Sequence, residues 1–161
     1  MKLPAFTNQL SDNMIKETLI QLFTRDLNKL KTEIQSYRNE ENIWIIDQDI
    51  KNSGGNLCLH LIGNLNTYIG AQMGNSGYLR NRDLEFLQKN VPANQMIVMI
   101  EETILMIRST LQNMPATNLD QEHPFLVFEQ KTSTQFLLIH LATHLAYHLG
   151  QVNYHRRLLD N

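Results

Sequence analysis

"THLAYHLGQVNYHRR", residues 143 to 157, repeats apolar and histidine positions at steps of three and four, the spacing of a helical face. His144 and His148 stand one turn apart, with His155 two turns further on and His140 one turn before. Taking about 100° per residue from His140, Leu141, Leu145, Leu149 and Val152 fall at about 100° to 180°, which marks the inward side. On the same count His148, His155 and His144 fall at about 80°, 60° and 40°, bordering the core, while His140 sits nearer the rim. His144 and His148 can converge on one ion, because residues four apart share a face. Imidazole nitrogen suits zinc, nickel, copper or iron better than magnesium or calcium.

Working outward from this segment, three more stretches carry apolar residues at helical spacing, separated by segments rich in Asn, Gly and Pro. The first holds Ile15, Leu19, Leu22, Phe23, Leu27, Leu30 and Ile34, with Ser11 or Asp12 expected as its cap. The second runs from about Ser53 to Met73, and the third from about Asn94 to Gln112, between Pro92 and Pro115. The last runs from about Thr132 to Leu159. No stretch alternates with a period of two, so the expected fold is all-α, a four-helix bundle formed by one domain over residues 1–161. The connections near 39–52, 74–93 and 113–131 are longer than is usual in bundles. One of them, "YLRNRDLEF" at 78–86, packs two arginines and two carboxylates together. It reads as a capped helical turn with solvated charges, or alternatively as a substrate-contacting loop.

Two ligands on one helix need a third from elsewhere. The second helix is apolar around most of its circumference, and His60 is the single histidine within it. His60, Asn64, Thr67 and Ala71 form a small polar stripe beside Leu57, Leu61 and Tyr68. Unpaired polar groups in a core cost about 1–3 kcal/mol each, so such a stripe needs partners or a cavity. The pattern alone leaves open whether His60 binds a metal or is satisfied by a neighbouring side chain.

Composition narrows the function classes. Hydrophobic residues at 42% against 19% charged favour a globular chain over a disordered one. A net charge of −2 with scattered Lys and Arg offers no nucleic-acid footprint. No window is apolar enough for a secretory signal or a membrane span, and the single cysteine, Cys58, cannot form an internal disulfide. The expectation is a soluble cytoplasmic protein that binds neither membrane nor nucleic acid.

"GNLCLHLIGNLNTYI" in the second helix and "THLAYHLGQVNYHRRLL" in the last resemble the two signature segments of the DinB-like superfamily of bacterial four-helix proteins. The likeness extends over the whole chain, and "YLRNRDLEF" and the "NVP" before the third helix are similar to an uncharacterised subgroup. The resemblance implies a metal site of His60, His144 and His148, and a bundle that pairs as a homodimer.

What is missing narrows the chemistry of such a site. Zincin proteases place a Glu directly after the first histidine of the pair, and here Leu145 occupies that position. Di-iron bundles need Glu-x-x-His steps, and the chain has none. Cys58 lies about 200° around the helix from His60 and should point away from the site. There remain three neutral imidazoles around a divalent ion, Zn²⁺ first and Ni²⁺ or Fe²⁺ next, with an open position that would lower the pKa of a bound water or thiol. The resembled superfamily includes transferases using a low-molecular-weight thiol of the bacillithiol or mycothiol kind. The resemblance therefore implies thiol transfer onto an electrophilic small molecule, for detoxification. A metal-held thiolate needs no carboxylate base, and none is expected nearby. The alternative is a non-catalytic metal- or ligand-binding stress protein.

Around this site, Gln151 is placed to orient a ligand or substrate, or simply to pack or cap. Gly150 suggests a close backbone approach or a wide cavity, or plain tolerance near the helix end. Tyr147 and Tyr154 share a side that faces a partner or the cavity. His123 reads as a solvated loop residue, and His155 as the fallback ligand.

Overall fold

Apolar residues at steps of three and four build each long helix, and the stripe they form decides which side turns inward. The structure, a computed structural model, describes residues 5–161, with side chains from residue 12 onward. Helix α1 spans Ala5–Gln35 and buries Leu19, Phe23, Leu27, Leu30 and Ile34 along one stripe. Because it already runs from Ala5, neither Ser11 nor Asp12 stands at its start, which corrects the expected cap. Helix α2 spans Gly54–Leu65, and every residue in it is buried. The short α3 spans Arg82–Leu87, α4 Ala93–Asn113 and α5 Thr134–Leu159. Short 3₁₀ turns at Glu40–Trp44 and Ala116–Asn118 occupy parts of two long connections.

The boundaries follow local chemistry. Ser53 accepts from Asn56 N–H and Ser133 from Phe136 N–H, so hydroxyls cap α2 and α5. Helix α4 ends at Asn113, where Pro115 disfavours a helical conformation for Met114 before it.

Beyond Leu65 the chain continues as a wider π-helical stretch, Asn66–Met73. There the side chains of Asn66 and Thr67 donate to the carbonyls of Ile62 and Gly63 at 2.9 and 2.7 Å. Side chains that compete for carbonyls one turn back loosen the regular ladder.

Helices α4 and α5 each pack along α1, and both also meet α2, which touches α1 only slightly. The long helices thus form a four-helix bundle around one continuous core that includes Phe23, Leu61, Ile100 and Leu141, and α3 lies across α2. The only β-type pairing among the described residues is one bridge between Glu122 and Ser133. No described helix is long and apolar enough to cross a membrane.

Candidate metal centre

Helices α2 and α5 carry the histidines to one point. His60 Nε2 lies 3.4 Å from His144 Nε2, which lies 3.2 Å from His148 Nε2. One ligand atom from each of the three falls within 4.8 Å of the others, a group that could hold a metal ion. The edge of a nitrogen tetrahedron around zinc, with Zn–N about 2.0–2.1 Å, is about 3.3–3.4 Å. The two Nε2 separations match that edge, so the donor set fits an ion with three imidazole ligands.

Acceptors beside two of the three rings favour the tautomer that leaves Nε2 free. His60 Nδ1 donates to Glu85 Oε2 at 2.9 Å, and His148 Nδ1 donates to Gln151 Oε1 at 2.6 Å. With its proton on Nδ1, each ring keeps its Nε2 lone pair for the shared point. Burial pushes His144 down to about 4, helped by neighbouring His148 and His60, so it is neutral near pH 7. Burial also lowers His60, against the opposing pull of its hydrogen bond to Glu85. At both rings burial favours the neutral form that a metal requires.

Glu85 is the residue that the sequence reading missed. It is 6% exposed and held by a two-pronged pair with Arg80, at 2.7 and 2.8 Å. The charges of "YLRNRDLEF" are therefore not all solvated, because one carboxylate turns inward onto a candidate ligand. The expected absence of a carboxylate near the site is corrected in the same way.

Asn81 caps α3, and buried Asn56 donates to the carbonyls of Glu85 and Gln88, both at 2.9 Å, tying α3 to α2. The Phe86 ring then lies tilted against that of His60, with 5.0 Å between centroids. A capped turn rich in charge was the only sequence signal, and it did not say which charge turns inward.

The other histidines go elsewhere. His140 is exposed, with its ring 4.8 Å from that of Phe128. His155 is buried and fully engaged: its Nε2 donates to Ile45 C=O at 2.9 Å, and its Nδ1 accepts from the Tyr37 hydroxyl at 2.7 Å. That leaves it no lone pair to serve as a fallback ligand. His123 is 2% exposed and bonded to Gln72 at 2.9 Å, so it is not solvated.

Gly150 meets no atom within 4 Å of where a Cβ would stand, so no backbone approaches it closely. Tyr147 and Tyr154 are exposed, with the Tyr147 ring 5.2 Å from that of His148. Cys58 sits in the apolar core, where burial pushes its thiol up to about 12. A cleft of about 430 Å³ is lined by Leu57, Gln151, Tyr154, His155 and Leu158 among others, and by none of the three clustered histidines. It shares Gln151 with the histidine cluster.

No match to the chain was found among curated proteins. A family whose members share this sequence pattern does match, over residues 9–161, and its description is "Protein of unknown function (DUF1572)". That span takes in both histidine-bearing helices and α3, and the chain belongs to this family.

Proposed function

We propose that this chain is a divalent-metal-dependent protein of the DinB-like superfamily that transfers a low-molecular-weight thiol onto electrophilic small molecules. The observation that carries the metal is the meeting of three Nε2 atoms from His60, His144 and His148, with 3.4 and 3.2 Å between successive rings. A bound ion, Zn²⁺ first and Ni²⁺ or Fe²⁺ next, supplies Lewis acidity that eases loss of the proton from a thiol at its open position.

The protein groups fit a reaction that needs no separate base. Glu85 already accepts from His60 and Arg80, so its carboxylate is committed to holding the site. His144, at about 4, stays neutral and adds no positive charge of its own. The cleft of about 430 Å³ is within the size range of small-molecule sites and offers Leu57, Leu158 and Tyr154 as apolar walls. In the transfer the thiol sulfur bonds the electrophilic carbon. The thiol proton leaves with the displaced halide, or protonates the oxygen of an opened epoxide. Cytoplasmic residence and a homodimer belong to the same proposal.

The test begins with elemental analysis of protein made without a histidine tag, then loads the metal and supplies bacillithiol with a haloaromatic or an epoxide. The expected result is about one equivalent of zinc or nickel per chain and a thiol-dependent loss of electrophile that chelation abolishes. Metal uptake without any turnover across a broad panel would replace transfer by sequestration. No uptake at all would overturn both.

A further inference from the structure

Among the described residues, two buried side-chain polar atoms have no hydrogen-bond partner, Asn64 Oδ1 and His144 Nδ1. The first can only accept, and the second can donate once it carries the ring proton. An ion shared by three Nε2 atoms places the proton of every ring on Nδ1. Glu85 accepts it from His60 and Gln151 from His148. The third ring has no such acceptor in the structure, and the unpaired buried acceptor is Asn64.

Register brings the two to neighbouring levels of the bundle. Leu57 and His155 line one cleft, His60 meets His144 and His148, and Gln72 and Thr134 line another cavity, so α2 and α5 run antiparallel. Asn64, one turn beyond His60, therefore faces the stretch of α5 that leads into His144. Side chains lean toward the start of their own helix, which inclines Asn64 back toward the level of His60 and His144. Asn64 is 8% exposed, so leaving its oxygen unpaired has a cost with no compensation from solvent.

We infer that Asn64 is the outer partner of His144, accepting its Nδ1 proton when the site is loaded and so completing a set in which each ligand has its own acceptor. This inference rests on the metal reading above. Asn64 acts through His144 and is a positioning residue. Outer partners of this kind orient the ring and raise its basicity as a ligand.

The experiment titrates zinc against a competing chelator in the parent, Asn64→Leu and Asn64→Asp, and follows the histidine ring nitrogens by ¹⁵N NMR in the zinc-loaded proteins. In Asn64→Leu, affinity should fall by about 10-fold or more, and the His144 Nδ1–H signal should exchange faster with water than in the parent. Asn64→Asp keeps an acceptor oxygen and should restore both. The metal-free Asn64→Leu protein should be at least as stable as the parent, because an unpaired buried oxygen has gone.

Parent-like affinity and an unchanged His144 signal in Asn64→Leu would overturn the inference while leaving the metal site standing. Weaker binding in both variants, with metal-free unfolding at lower urea in each, would also overturn it, assigning Asn64 a packing role. A parent that takes up no zinc would instead remove the metal reading, and this inference with it.

Discussion

Gly63 and Glu85 meet so closely that a Cβ on Gly63 would overlap the Glu85 carboxylate, with the carboxyl carbon only 2.8 Å away. The bare backbone of α2 at this point is what admits a charged group from α3 into the bundle. Once inside, the carboxylate is held by Arg80 and turned onto His60.

Gly63→Ala should therefore push Glu85 off His60 without replacing any candidate ligand. Zinc affinity is expected to fall by about 10- to 100-fold, the usual cost of losing an outer partner. Overpacking should cost about 1–3 kcal/mol of stability in urea unfolding. Affinity equal to the parent's would mean that Glu85 does not govern the His60 ring.

The three candidate ligands should separate cleanly from the other histidines. His60→Ala, His144→Ala and His148→Ala each remove one of three nitrogens, and zinc binding should collapse in all of them while circular dichroism reports intact helices. His140→Ala should bind like the parent, since its ring is exposed against Phe128. Damage from His140→Ala, or parent-like binding by His60→Ala, would move the site elsewhere.

His155 should matter for stability rather than for metal. Tyr37→Phe removes the hydroxyl that donates to His155 Nδ1 and leaves a buried acceptor unpaired. The expected loss is about 1–3 kcal/mol in chemical unfolding, with zinc affinity unchanged. A large drop in affinity would restore His155 to the site.

Stability of the metal-free protein should depend on pH with a definite sign. Burial lowers His60, His123 and His155 below the ordinary 6.5 and holds His144 at about 4. Between about 6.5 and 4 the unfolded chain binds protons that the folded one refuses, so acid favours unfolding. The contribution is fully present above about 6.5 and is lost progressively as the pH falls toward 4. Urea midpoints measured in steps from about pH 8 to about pH 5 should be flat at first and then decline. A midpoint that rises toward acid would contradict the burial of these rings.

How much of this was legible follows from what each feature depends on. The four long helices and their inward faces were readable, because steps of three and four among residues such as Leu19, Phe23, Leu27 and Leu30 report burial through local geometry alone. The pairing of His144 with His148 was readable for the same reason, since two residues one turn apart on one helix share a face whatever surrounds them. That His60 meets them depends on the antiparallel packing of α2 on α5, a relation between residues 84 positions apart for one of its contacts.

Glu85 was beyond the sequence altogether. Its neighbour Asp83 carries the same charge, and only the Asn56 tie, the Arg80 clamp and the room at Gly63 select Glu85 for the interior. The fates of His123 and His155 were hidden likewise, because a histidine's partners, Gln72 in one case and Tyr37 with Ile45 in the other, come from distant segments. Periodicity encodes which side of a helix is buried; which polar groups meet inside is set by how the helices pack, and that is written in no single segment.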